Sequence, residues 1–193
     1  SMIDGTLFEY RKVRAWERDP YSYADILSSQ LNIILIFDYA PIEERLSSVI
    51  AKEEQIPRFL EAARKNLKPT APILVSYGQR GAQGALALVR KDLPAAFGSV
   101  GSAELQSEFR QVTAAATEAL QSFIVWLKKE YPVGAERAYA LGHDVYAGWL
   151  AARERITTPL DELERWALDA IEATREELRA QAARIDPSVE PSA

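Results

Sequence analysis

The sequence contains no cysteine and a single histidine among its 193 residues. Without cysteine the chain can form no disulfide framework and can offer no thiolate as a nucleophile or metal ligand. One histidine, His143, cannot make an H-E-x-x-H zinc motif or any multi-histidine metal site. No G-x-S-x-G motif for a serine nucleophile is present either. The chain therefore carries no recognisable catalytic or metal-binding motif, and whether it is an enzyme stays open.

The sequence also lacks long apolar runs and an excess of positive charge. Its longest runs of aliphatic and aromatic residues, such as residues 33–37, have five members, whereas a bilayer-spanning helix needs about 20. The net charge is -5, which argues against the dense basic surface that binds nucleic acid. No signal peptide pattern starts the chain. The compartment stays open between the cytoplasm and, if a leader preceded Ser1, the periplasm or exterior.

Apolar residues recur at spacings of three and four along most of the chain, which is typical of amphipathic helices. With 48% hydrophobic and 26% charged residues, the composition is that of a globular protein. We predict an all-α fold, an irregular bundle of about seven or eight helices around one long central helix at residues 102–130. Residues 1–185 are expected to form a single helical domain, followed by a polar tail at 186–193.

Four local predictions add detail to this fold. Residues 33–36 have strand propensity but continue a helical segment, so we favour a buried helix. Pro57 predicts a kink or break near Gln55, and residues 91–101 are expected to be a loop. The last helix, beginning near Thr158, is expected to bury seven apolar residues: Leu160, Leu163, Ala167, Ala170, Ile171, Leu178 and Ile185.

The segment at residues 72–90 is rich in glycine and alanine. Gly78, Gly81 and Gly84 match neither phosphate-loop pattern, since no G-x-x-x-x-G-K-[ST] or G-x-G-x-x-G is present. We expect close helix packing there, because missing side chains let backbones approach. The functional alternative is that Gln79, Arg80 and Gln83 face a cleft and hold a polar ligand.

Other polar residues have simpler structural interpretations. His143 beside Asp144 is expected at a helix start on the surface, with a functional role as the alternative. The adjacent pairs Glu43 and Glu44, Glu53 and Glu54, and Glu176 and Glu177 are expected on solvated faces. Neighbours on a helix diverge by about 100 degrees, so such pairs cannot share a ligand.

Several blocks of the sequence together resemble a bacterial family called domain of unknown function 885. The resemblance covers nearly the whole chain in the family's order and is carried by RAWERDPYSY, PIEERL, IPRFLEAARKNLKP, QGALALVRKDLP, ALGHDVYAGWL and TTPLDELERWALDAI. It implies the N-terminal half of a large helical, zincin-like metallopeptidase whose metal motif and zinc belong to the C-terminal half. No metal ligand or general base of that family matches a residue of this sequence.

On this resemblance, the chain would be a non-catalytic region that shapes the substrate cleft and is inactive alone. The helix with Gly142 and Tyr146 would help wall the substrate channel. Together with the polar residues singled out above, this gives five candidate substrate-binding residues: Gln79, Arg80, Gln83, His143 and Tyr146. The expected partners are the C-terminal catalytic half and a peptide substrate, with self-association through an exposed apolar interface. The alternative is a free-standing helical module that binds a protein or peptide without enzymatic activity.

Overall fold

The structure, a computed structural model, describes residues 2–185, and its secondary structure confirms the all-α prediction. Within this range the only β pairing is an isolated bridge between Thr70 and Val133, and no helix is long and apolar enough to cross a membrane. The α-helices are α1 (Met2–Phe8), α2 (Ala15–Arg18), α3 (Pro20–Ile36), α4 (Ile42–Glu53), α5 (Ile56–Asn66), α6 (Pro72–Ala87), α7 (Leu93–Phe97), α8 (Ala103–Lys129), α9 (His143–Trp149) and α10 (Leu160–Ile185). Three π-helical turns cover Glu9–Val13, Leu88–Asp92 and Leu150–Glu154.

The chain divides into two compact units. Arg14–Ala140 forms the larger one, here called the core unit, while Ser1–Val13 and Leu141–Ala193 form the terminal unit. A compact cluster does not show whether it folds independently, so the expectation of one domain over residues 1–185 stays a prediction. The predicted polar tail at 186–193 lies outside the described residues.

Helix α8 is the central helix of the core unit, as predicted. The Ser102 hydroxyl accepts a hydrogen bond from the Leu105 backbone N–H at 3.2 Å, which satisfies one of the free donors of the first turn. Helices α4, α5 and α6 all pack against α8. Its buried face has the predicted helical spacing and consists of Gln106, Phe109, Ala116, Leu120, Phe123 and Leu127.

The junction between α4 and α5 confirms the break predicted from Pro57. Helix α4 ends at Glu53, α5 begins at Ile56, and Pro57 lies in its first turn. Proline is tolerated there because the first backbone N–H groups of a helix have no intrahelical acceptor. The ambiguous residues 33–36 are also helical, at the end of α3, with Ile34 buried.

Helix α6 packs closely against α3 through two of its glycines. A Cβ atom at Gly78 would lie 2.5 Å from Pro20 Cβ, and one at Gly81 would lie 2.8 Å from the Tyr21 ring. These distances confirm the predicted close packing. Gly84 differs, because no atom lies within 4 Å of its ideal Cβ position.

Two boundaries were predicted wrongly. The expected loop at 91–101 contains the end of a π-helical turn and all of α7, since Pro94 falls in the first turn of α7, where its ring is compatible with a helix. The apolar spacing over residues 137–156 predicts a helix from residue 137, whereas α9 begins only at His143. Before it, Ala138 and Ala140 donate turn hydrogen bonds three residues back.

The predicted burial of α10 is also wrong. Leu160 and Leu163 are half-buried, but the five other apolar residues expected in the core are exposed. The exposed fractions are 48% for Ile171, 61% for Leu178 and 87% for Ile185. Helical spacing places apolar residues on one side of a helix, but it does not supply the surface that covers them.

Candidate functional site

The candidate site is a cavity of about 510 Å³ in the terminal unit. It lies between α9 and the segment that leads into α10. Polar groups come from His143, Asp161 and two neighbouring threonines, while alanines, Ile156 and Leu160 form apolar walls. The lining residues are His143, Ala147, Gly148, Ala151, Ile156, Thr157, Thr158, Pro159, Leu160 and Asp161.

Two local backbone features position this cavity. Gly142, at the N-cap of α9, has φ 80, a left-handed value that glycine adopts without steric cost. At the other end, Arg155 has φ 60, and the Ile156 N–H reaches back to the Leu150 carbonyl at 3.2 Å. The chain then turns through Thr157 and Thr158 into α10, so that these residues face α9.

His143 is the histidine of this cavity and is 67% exposed at its side chain. Its Nδ1 lies 3.1 Å from Asp144 Oδ1, in agreement with the expected surface position at a helix start. Among residues 2–185, no group of three or more histidine, aspartate and glutamate residues is placed to hold a metal ion. The described donors therefore do not fit a zinc site, and this cavity can offer hydrogen bonds and apolar contacts to a ligand.

Tyr146 lies on α9 but is not among the lining residues. It is 46% exposed, and its ring stacks on Trp149 with 6.2 Å between centroids and a 10° interplanar angle. Trp149 Nε1 donates to Glu9 Oε1 at 2.9 Å, and Arg153 reaches the same oxygen at 2.7 Å. Tyr146 thus belongs to the aromatic and ionic contacts of the terminal unit, and its predicted role in a channel wall stays a prediction.

The three candidates from α6 lie in the core unit. Gln79 Nε2 donates to the Leu127 carbonyl at 3.1 Å near the end of α8, a contact that joins two helices. Arg80 donates to Ser76 Oγ at 3.3 Å and lies 5.3 Å from the Tyr77 ring centroid, while Gln83 is exposed. Gln79 therefore has a packing role, and ligand binding by the three stays a prediction.

A buried carboxyl group in the core unit was missed by the sequence interpretation. Glu53, which was expected on a solvated face, is fully buried. Its Oε2 accepts a hydrogen bond from Thr113 Oγ1 at 2.6 Å, and burial raises the pKa of the Glu53 carboxyl to about 7. The available signal was its spacing, since Leu46, Val49 and Ile50 precede it on the same buried face of α4.

A second cavity, of about 380 Å³, lies beside this group, between the α7 region and α8. Thr113 lines it together with Phe109, Arg110 and Gln106. The Gln106 amide donates to the carbonyls of Phe97 at 2.8 Å and Val100 at 2.5 Å. Those bonds hold the turn after α7 against α8.

Comparison with known families gives a match over nearly the entire chain. A family described as "Bacterial protein of unknown function (DUF885)" matches residues 3–192. The chain belongs to this family. The predicted resemblance is thereby confirmed, whereas the family description names no activity.

This chain is also similar in fold to a solved protein structure. That structure is described as a putative lipoprotein of unknown function from Shewanella oneidensis, with a TM-score of 0.76 and 23% sequence identity. The alignment covers 100% of this chain and 36% of the solved chain, so this chain spans about a third of its length. At this identity the likeness shows a shared fold. None of the curated proteins compared with the sequence is a match.

Proposed function

We propose that this chain is the non-catalytic N-terminal helical region of a larger zinc-dependent peptidase, in which it shapes the substrate cleft. The zinc ion and its ligands would belong to a C-terminal half beyond residue 193. By itself this region is inactive. Its cavity between α9 and α10 would contact a peptide substrate through His143 and its apolar walls.

The observation that carries the proposal is the exposed apolar side of α10, here called the α10 face and defined by Leu168, Ile171, Leu178 and Ile185. Spacings of three and seven residues place these four side chains on one side of the helix. Each is at least 48% exposed. A row of exposed apolar residues along one side of a helix is typical of surfaces that pack against another part of a protein. A C-terminal half of the parent would cover them.

The length comparison supports the same proposal. The solved protein with a similar fold is longer than this chain, and the alignment covers 36% of that protein. The remaining length there is enough for a second, catalytic region. Zinc would come with that region, because the described residues of this chain do not fit a zinc site.

The native gene provides the first test. Sequencing past the codon for Ala193 should show an open frame that continues for several hundred codons into an H-E-x-x-H-like motif. A stop codon directly after Ala193 would overturn the peptidase proposal.

Activity measurements provide the second test. The purified chain should not hydrolyse a peptide library, with or without added zinc, and chelator-sensitive hydrolysis by the chain alone would contradict inactivity.

In the full-length parent, Tyr146→Ala should lower kcat/KM if α9 walls the substrate channel. Tyr139→Ala, which changes a similarly exposed tyrosine of the core unit, is the matched control.

The second candidate function is a free-standing helical module that binds a protein or peptide without chemistry. The α10 face and the cavity beside α9 would then receive the partner directly. This candidate requires the stop codon after Ala193, and a pull-down that loses its captured protein with Leu178→Glu would support it.

A further inference from the structure

The core unit buries one arginine and two glutamates, and it provides charge partners for two of these three side chains. Glu17 accepts hydrogen bonds from Lys68 at 2.8 Å and Arg14 at 2.7 Å, and the Lys68 bond is the main cause that lowers its pKa. Arg45 pairs with Asp38 at 2.9 Å and donates to two carbonyls at the end of α3. Glu53 is the third and has no such partner among the described residues.

Glu53 occupies a position of α4 that packing would assign to an apolar residue. It follows Leu46, Val49 and Ile50 on the side of α4 that faces the core, and it is fully buried. Thr113 on α8 donates to its Oε2. Its other oxygen, Oε1, has no hydrogen-bond partner in the described part of the chain.

The charged groups around this contact are directed elsewhere. Helices α3 and α8 pack against α4, and none of their charged residues forms an ion pair with Glu53 within residues 2–185. On α4 itself, Lys52 Nζ donates to Gln30 Oε1 at 2.7 Å. The charged residues of α3 and α8, and the others of α4, are Asp25, Glu43, Glu44, Arg45, Glu104, Glu108, Arg110, Glu118, Lys128 and Lys129.

An ionised carboxylate is unfavourable in such a place. Burying a charge without a counter-ion costs several kcal/mol, and groups in this situation bind a proton instead. A neutral carboxylic acid needs fewer partners, and a single hydroxyl contact leaves one oxygen unpaired at a smaller cost. Burial of Glu53 is therefore compatible with its neutral form.

We propose that Glu53 is a proton-dependent latch between α4 and α8. It is held as a neutral acid when the two helices are packed, and loss of its proton loosens that packing. The ionised carboxylate regains water only if α4 moves away from α8 or the core unit opens locally. The inference stands on the burial and partners of this one side chain and is independent of the proposed peptidase role.

The sign of the pH effect follows from the two protonation states. Burial raises the pKa of Glu53 from the ordinary 4.5 to about 7, so the folded unit binds the proton more tightly than the unfolded chain. The resulting stabilisation is complete below pH 4.5 and is lost as pH rises through 7. Over this range the unfolding equilibrium constant should rise on the order of 10²-fold.

Denaturant unfolding of the chain between pH 4 and 9 tests the proposal, with Glu53→Gln as the variant that keeps the shape and removes the titration. The free energy of unfolding of the wild type should fall as pH rises from 4.5 to 7. The variant should not show this fall. Glu61→Gln, which changes an exposed glutamate paired with Lys65 at 2.7 Å, is the matched control and should keep the wild-type loss between pH 4.5 and 7.

Carbon NMR of the wild-type glutamate carboxyls gives a second measurement that does not depend on the variant folding. The Glu53 resonance should titrate well above those of exposed glutamates. Thr113→Val should move its midpoint further up, because the hydroxyl bond lowers the pKa of this carboxyl. A Glu53 midpoint near 4.5, or an unchanged pH dependence in Glu53→Gln, would overturn the latch.

Discussion

Helices α8 and α10 have nearly the same length, 27 and 26 residues, and similar sequence patterns. Both carry apolar residues at spacings of three and four, and both have acidic residues in the first turn and basic residues in the last. Yet α8 buries six residues, while none of the described residues of α10 is buried. Amphipathic periodicity therefore predicts a helix and its apolar side, and it does not say where the covering surface comes from.

The largest difference should appear when one apolar side chain is removed from each helix. Phe123→Ala on α8 removes a fully buried ring and should lower the free energy of unfolding by about 3–5 kcal/mol. Leu178→Ala on α10 removes a side chain that is 61% exposed and should change it by less than about 0.5 kcal/mol. Denaturant unfolding of both variants measures the contrast.

A large loss for Leu178→Ala would break this comparison. It would mean that the α10 face is covered in solution, for example by self-association. Sedimentation at two protein concentrations would then show whether a second copy covers it.

An intermediate effect is expected at the glycines of α6, which carry the close packing of the core unit. Gly78→Ala should lower the free energy of unfolding by about 1–3 kcal/mol, because the new methyl group would collide with Pro20. Gly84→Ala should raise it by up to about 1 kcal/mol, because alanine favours the helix and no neighbour is close. Equal changes in the free energy of unfolding at the two positions would show that α3 can move away from α6 to make room for the methyl group at position 78.

The smallest effect concerns the origin of helicity in α8 and α10. Ala115→Gly and Ala170→Gly both alter exposed helix interiors and should each cost about 1 kcal/mol locally. Packing holds α8, so its amides should still exchange mainly through global unfolding. In α10 the same change should speed exchange around residue 170, since little tertiary packing supports it. Hydrogen-exchange mass spectrometry separates the two responses.

The parts of the fold predicted from sequence are those set by local chemistry. Ser102 caps α8 because its hydroxyl reaches a backbone N–H of the first turn, and Pro57 breaks the α4–α5 segment because it lacks a donor. Helical spacing identified the apolar side of α8, on which Phe109, Ala116, Leu120, Phe123 and Leu127 are buried, but it did not identify the buried Gln106. The boundaries near α7 and α9 were missed, since short helices depend on contacts that a sequence window does not contain.

The candidate site was predicted less completely, for a related reason. His143 could be placed at a helix start, but the cavity beside it depends on how the segment before α10 turns back toward α9. For Gln79 the sequence predicted close helix packing, with ligand binding as the alternative, and only the approach of α8 shows that its amide donates to the Leu127 carbonyl. Whether Gln79 can bind a ligand depends on which groups from distant parts of the chain already contact it.

The sequence by itself determined the all-α class, the long central helix and the family, because helix periodicity, caps and ordered motif blocks are local properties of the chain. Only the tertiary structure decided that Glu53 is buried against Thr113 while the α10 face is exposed. Burial depends on which surfaces meet in space, and two helices with equivalent patterns can differ in whether a neighbouring surface is present.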